Sequence, residues 1–280
     1  MKGFVGTVLA KLPEFVATDL REPIHIALSY DEEVGCAGVG SLVEHMVRTG
    51  IAPRACIVGE PTTMEVVRGH KAITLLRVSL HGVASHSSLT PNGVNAVEYA
   101  AELVRFARAI ADQFRVDGPY DEAYEVPFTT ASVNQIAGGI AVNTVPADCT
   151  LSLEFRSIGA VDVAATVDLF RAEIARIETA MKAENPAASV ELEIVASAPG
   201  LDTPRSAGVV DAAAGWGGIP SNTKVTYATE AGLFQAAGIP TVVCGPGDMT
   251  QGHAPDEFIA LEQLALCEVF LDELLAEVRS

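Results

Sequence analysis

The chain has 280 residues, of which 49% are hydrophobic and 19% charged, and its formal net charge is −18. That composition excludes a disordered chain, and the longest apolar runs fall short of the roughly 18 residues a membrane span needs. A surface carrying twice as many acids as bases repels phosphate backbones, which excludes nucleic acid as a partner.

The opening residues, Lys2 followed by Gly3-Phe4-Val5-Gly6-Thr7-Val8-Leu9-Ala10, have the outline of a signal peptide. No small-x-small cleavage site follows and Lys11 interrupts the run, so the segment reads as the start of a buried helix. Residues 24–29 read as a strand, 38–49 as a helix and 55–58 as a second strand stopped by Gly59-Glu60-Pro61. This strand–helix–strand order predicts a βαβ unit in a mostly parallel sheet. Residues 73–80 alternate as a strand. A long helix follows, with Val97, Ala100, Val104, Ala107, Ala111 and Phe114 on one face. Strands are predicted near 129–136 and 150–155. A second helix carries Val163, Val167, Phe170, Ile174, Ile177 and Met181, and a strand near 190–195 follows. The order β-α-β-β-α-β is the ferredoxin-like split. Strands at 224–228 and 240–244 precede a closing helix with Leu264, Cys267, Leu271, Leu274 and Val278 as its seam. The predicted architecture is an α/β domain (1–71 and 199–280) interrupted by an inserted α+β domain (72–198). Five cysteines, at 36, 56, 149, 244 and 267, form no CxxC pair and read as buried reduced thiols of a cytoplasmic protein.

Acids collect where the predicted strands end. Asp31-Glu32-Glu33 follows the strand at 24–29, and Glu60 follows that at 55–58. His253 comes after the strand at 240–244 and a Gly245-Pro246-Gly247-Asp248 turn. Ligands of open α/β sheets bind at the carboxyl ends of strands. Two glutamates and a histidine there suit zinc or a neighbouring divalent ion. Adjacent carboxylates, one on a metal and one facing a water, are the layout of metal-assisted hydrolysis. By contrast, Gly35-Cys36-Ala37-Gly38-Val39-Gly40 has the wrong glycine order for a nucleotide loop, and its acidic neighbours would repel phosphate.

Together these segments resemble the acetylornithine deacetylase branch of the dinuclear zinc peptidases and amidohydrolases. The resemblance rests on Ser29-Tyr30-Asp31-Glu32-Glu33, Val58-Gly59-Glu60-Pro61-Thr62 and His81-Gly82-Val83-Ala84-Ser85-His86-Ser87-Ser88. It continues in Gly93-Val94-Asn95-Ala96, Asn143-Thr144-Val145-Pro146, Phe155-Arg156, Thr229-Glu230-Ala231 and His253-Ala254-Pro255-Asp256-Glu257. The last segment and Thr229-Glu230-Ala231 favour this branch over succinyl-diaminopimelate desuccinylase and the aminoacylases. The resemblance implies that Glu32 is the general base, that Glu33 and His253 ligate one zinc, and that Glu60 ligates the other, with cobalt able to substitute. His86, from the inserted domain of a homodimer partner, would stabilise the oxyanion. Asn143 and Arg156 would contact the substrate, Arg156 through its carboxylate. From its own chemistry, Glu230 is expected to meet a substrate ammonium group. Family members carry a metal-binding His and a bridging Asp ahead of a segment resembling Met1-Lys2-Gly3-Phe4. The resemblance therefore implies an N-terminally truncated catalytic domain. His25, inside a predicted strand, does not replace that His. The expectation is poor binding of two metals and weak hydrolysis by this chain alone, which could then act only as a dimerising protein.

Overall fold

A computed structural model describes residues 1–252 and 254–280, Val34 by its backbone alone. It divides into two compact units, residues 1–71 with 123–125 and 198–280, and residues 72–122 with 126–197.

In the first unit, helix α1 (Lys2–Ala17) is followed by α2 (Val39–Thr49) and strand β1 (Cys56–Val58). Short strands β2 (Glu65–Val66) and β3 (Gly69–His70) precede the second unit. After it come β10 (Leu201–Asp202), α5 (Gly208–Gly215), β11 (Ile219–Pro220), α6 (Ala231–Ala236), β12 (Thr241–Val243) and α7 (Leu261–Val278). The central pair is parallel, with Cys56 opposite Thr241 and Val58 opposite Val243. Val8 and Phe15 of α1, Val209 and Ala213 of α5, and Cys267, Phe270 and Leu271 of α7 bury one core around Val242. Trp216 stacks edge-on against Phe270 at 5.6 Å and donates its indole N–H to Glu277 at 2.6 Å. All five cysteines are free thiols.

Two predicted strands of this unit differ in the structure. Residues 24–29 pair with no strand among the described residues, and Ile26 and Leu28 are exposed. Their apolar pattern gives the segment the capacity to pair, but a strand exists only where a neighbour supplies the hydrogen-bond ladder. Residues 224–228 form single bridges rather than a ladder: Lys224 to Tyr124 and Val225 to His70. Each bridge joins a single residue pair, and the two go to different segments, so no register extends along 224–228. At that junction Tyr124 is buried, with the ammonium groups of Lys71 and Lys224 at 5.5 and 5.4 Å from its ring centre. Cation–π attraction of this kind strengthens when the pair is desolvated.

In the second unit, β4 (Ala72–His81), α3 (Ala96–Asp117), β6 (Thr130–Gly138), β8 (Asp148–Ser157), α4 (Val163–Glu184) and β9 (Ser189–Ala198) occur in that order, with two-residue strands β5 (Ser85–His86) and β7 (Thr144–Val145) between them. The sheet order is β6-β8-β4-β9. β8 pairs antiparallel with both β4 and β6, and β6 carries a bulge between Val133 and Gln135. Along β4 buried and less buried residues alternate, so one sheet face meets the helices. Leu76, Val78, Leu80, Leu151, Leu153 and Phe155 pack there against Leu103, Ala107, Phe170, Ile174 and Ile177. The buried face of α3 centres on Ala100, Leu103, Ala107 and Ile110, rotated toward Leu103 and Ile110 from the predicted stripe. Alanines at 100 and 107 let the helix sit close, which brings its longer neighbours inside.

Both long helices are capped. Asn95 Oδ1 accepts from the N–H groups of Val97 and Glu98 at 3.1 and 3.3 Å, and Asp162 Oδ1 from that of Ala165 at 3.1 Å. Asn95→Ala leaves two first-turn donors of α3 without that acceptor. It is expected to cost about 1 kcal/mol, read as a lower urea midpoint at unchanged m-value. An unchanged midpoint would show that water replaces the cap.

Candidate active site

Parallel pairing of β1 and β12 brings two chain exits to one edge. Cys244 N–H donates to Val58 O at 2.9 Å, Thr62 N–H to Gly245 O at 3.1 Å and Thr63 N–H to Gly247 O at 2.7 Å. The loop after β12 is therefore held against the loop that carries Glu60. Gly59 has to be glycine, because a Cβ there would enter the ring of Phe4. That ring closes the α1 side of the strand exit.

Glu32 and Glu33 lie in a 3-10 turn, flanked by Asp31 (φ 56°) and Gly35 (φ 90°) in the left-handed region. The N–H groups of Gly35 and Cys36 donate to Glu32 O at 3.1 and 2.9 Å, and that of Ala37 to Asp31 O at 3.1 Å. A Cβ at Gly38 would collide with the Tyr30 carbonyl, so glycine there lets the turn fold back on its own entry. Cys36 φ is 58°, and its buried Sγ–H donates to Glu32 Oε1 at 3.7 Å.

The electrostatics tie these pieces to α6. Burial pushes the Glu60 carboxyl up to about 7; the N-terminal ammonium opposes this, and Glu32, Glu230 and Glu33 add to it. Burial likewise raises Glu230. The Cys36 thiol is pushed up to about 12 by burial and by Glu32, Glu230 and Glu60. Tyr227 rises to about 12 through burial, Glu60 and Asp248, and its hydroxyl donates to Pro61 O at 3.3 Å. Glu32, Glu230 and Glu33 thus each act on Glu60 as like charges. Such a cluster is costly unless its carboxyls take up protons or cations. That donor chemistry, oxygen-rich and partly buried, fits a divalent ion. Among the described residues no three His, Cys, Asp or Glu side chains stand close enough together to hold a metal by themselves. His253, predicted as a ligand, lies outside the described residues.

The other predicted residues belong to the second unit. Pairing of His86 with Thr144, and of Ser87 N–H with Asn143 O at 3.0 Å, brings His86 and Asn143 together. His86 is exposed, and its Nδ1 lies 3.2 Å from Ser88 N and 2.8 Å from Ser88 Oγ. Arg156 is not with them. It lies near the far end of β8, its guanidinium donating to both carboxylate oxygens of Glu154 at 2.7 and 3.3 Å. Eight residues of extended strand from Asp148 span about 27 Å. Cys36, Ser29 and Tyr227 are additional residues of the acid cluster to which periodicity and motif spacing assign no role. Cys36 has a local signal, a residue four positions after Glu32 in a glycine-flanked turn; Ser29 opens the motif Ser29-Tyr30-Asp31-Glu32-Glu33, and Tyr227 has no signal.

Comparison with known proteins agrees in fold and family. The chain is 33% identical over 280 residues to an acetylornithine deacetylase of Myxococcus xanthus, covering 98% of this chain and 70% of that protein. It is 29% identical over 278 residues to that of Pasteurella multocida, at 99% and 70% coverage. In fold it resembles aminopeptidase PepT from Bacillus cereus, with TM-score 0.67 and 21% identity over 89% of this chain and 62% of that one. It also resembles the Bacillus subtilis YXEP protein, described as a dinuclear metal-binding peptidase, with TM-score 0.64 and 14% identity over 98% and 70%. The chain thus spans about two thirds of the length of its relatives. No helix among the described residues is long and apolar enough to cross a membrane. The sequence profile of peptidase family M20/M25/M40 matches residues 1–277, and the chain belongs to that family of hydrolases.

Proposed function

We propose that the chain is a metal-dependent amide hydrolase that converts N-acetyl-L-ornithine and water to L-ornithine and acetate, a cytoplasmic step of arginine biosynthesis. The observation that carries this reading is the buried Glu60 carboxyl at the exit of β1, on which Glu32, Glu230 and Glu33 act as like charges. Glu33 and His253 would hold one zinc and Glu60 the other. Bound metal supplies a polarised carbonyl and a water of lowered pKa. Glu32 takes the proton of the attacking water and returns it to the leaving amine. Arg156, held in plane by Glu154, pairs with the substrate carboxylate through its fork.

Residues 72–198 act in this reading as an inserted ferredoxin-like dimerisation domain, with the catalytic domain formed by 1–71 and 199–280. His86 and Asn143 sit at one end of the sheet and Arg156 near the other, so one copy's sheet does not bring all three to one substrate. A homodimer, in which a second copy lends His86 and Asn143, resolves that separation. His86 then donates to the developing oxyanion.

A second reading, a dimerising protein with impaired hydrolysis, is favoured by the absence of a three-ligand group among the described residues. Zinc stoichiometry and turnover separate the two. The hydrolase reading expects about two zincs per chain and faster release from N-acetyl-L-ornithine than from N-succinyl-diaminopimelate or N-acetyl-methionine. No turnover at saturating zinc would sink it, and a faster rate with another substrate would reassign the acyl amino acid.

A further inference from the structure

We infer that Glu230 reads a positive charge at the end of the substrate's side chain, accepting its ammonium group on the carboxylate oxygen that Ser29 leaves open. This deepens the deacylase reading and rests on it for the identity of the bound amino acid. Glu230 is only 8% exposed. Its Oε2 accepts the Ser29 hydroxyl at 2.6 Å, whereas its Oε1 is buried and meets no hydrogen-bond donor among the described residues. A buried carboxylate oxygen without a donor is costly and is rare in folded proteins.

The position is rigid. Glu230 immediately precedes α6, and Leu233 N–H donates to its carbonyl at 3.0 Å. The buried Thr229 hydroxyl accepts from Ala231 N–H at 3.1 Å. Two residues on, a Cβ at Gly232 would enter the carbonyl of Pro199, so the first turn of α6 is seated against that chain. The side chain therefore has little freedom to leave its pocket for water. Its charge bears on Glu60, Cys36 and Cys56, all acids. What the open oxygen lacks is a compact N–H-bearing cation. An amino acid with a short polymethylene side chain ending in ammonium supplies one; a neutral side chain of the same length leaves the oxygen unpaired. Sites built around such a polar group reject analogues that lack its partner far more strongly than hydrophobic pockets reject a missing methylene.

The test is calorimetric binding of L-ornithine and L-norvaline to the zinc-loaded full chain. These amino acids share a carbon skeleton and differ by the terminal ammonium. The native protein is expected to bind ornithine at least about thirtyfold more tightly, within the range set by charge-assisted contacts in dry sites. In Glu230→Gln, whose amide oxygen can still accept from Ser29, the preference is expected to fall to about threefold or less, with zinc stoichiometry unchanged. Ser29→Ala, which frees the carboxylate to rotate, should lower it in part. Trp216 fluorescence checks folding of the unit in each variant. Three results overturn the inference: no preference in the native protein, including no binding of either amino acid; a full preference in Glu230→Gln; or loss of zinc from Glu230→Gln, which would make the carboxylate part of the metal site. Binding needs no turnover, so a failure to deacetylate would count against the hydrolase reading and leave this measurement decisive.

Discussion

Glu32→Gln is expected to lower zinc-supported release of acetate from N-acetyl-L-ornithine by about 10³-fold, about 4 kcal/mol of transition-state stabilisation. The substitution keeps the shape of the side chain and an oxygen that can accept from Cys36 Sγ–H, so the turn from Asp31 to Gly35 has no reason to reorganise. What it removes is the one basic oxygen able to take a proton from water and return it to the amine. Both transfers run through the same carboxylate, and a loss of about 10³-fold is mid-range for general acid–base catalysis. Glu33, Glu60 and His253 are untouched, and zinc content is expected to stay at its native value. Glu60→Gln, by contrast, should lower zinc content together with the rate. Steady-state rates beside elemental analysis of the same samples separate the two roles. If Glu32→Gln kept more than a tenth of the native rate, the base would have to be another group.

How much of this was legible in the sequence follows from where the information lies. The long elements of the second unit are local: α3 and α4 repeat their apolar residues every three or four positions, and β4 and β8 alternate. Each pattern can be read without knowing what it packs against. Residues 24–29 and 224–228 have equally good strand patterns, yet neither forms a ladder, because strand formation is a property of a pair. The acid cluster lies between these cases. Strand ends followed by Asp31-Glu32-Glu33 and by Glu60 mark candidate positions, since carboxylates at the edge of an apolar run need a reason to be there. The burial that moves Glu60 to about 7, and the like charges of Glu32, Glu230 and Glu33 that add to it, come from tertiary packing between segments up to 198 residues apart and are not local to either motif. The open oxygen of Glu230 was out of reach altogether. It depends on Ser29 occupying the other oxygen from 201 residues away. The separation of Arg156 from His86 is a matter of register along β8, and the motifs alone do not give it.

The metal-free protein is expected to show two opposed pH dependences in its first unit, and replacing one residue should expose the other. Glu60 is raised from 4.5 to about 7, chiefly by burial, so between those values the folded state holds a proton that the unfolded chain has released. Stability therefore falls as pH rises through that window, by about 3 kcal/mol. His70 behaves oppositely. It is fully buried, with Nδ1 3.0 Å from the Lys71 carbonyl oxygen, and burial lowers its imidazole from 6.5 to about 4. Between those values the unfolded chain takes up a proton that the folded state refuses, so stability rises with pH, again by about 3 kcal/mol. The windows overlap from about 4.5 to 6.5, where the two slopes nearly cancel on top of the shallow background of surface carboxylates. Glu60→Gln removes the falling slope and should leave a rise of about 3 kcal/mol from pH 4 to 6.5. His70→Gln should leave the fall through pH 7. Trp216, the only tryptophan and a core residue of the same unit, reports unfolding of that unit in urea at each pH. A stability curve for Glu60→Gln that runs parallel to the native one would show that Glu60 is already ionised near pH 5. The like charges around it would then be compensated before any metal binds, and the case for a cation-seeking cluster around Glu60 would lose its electrostatic basis.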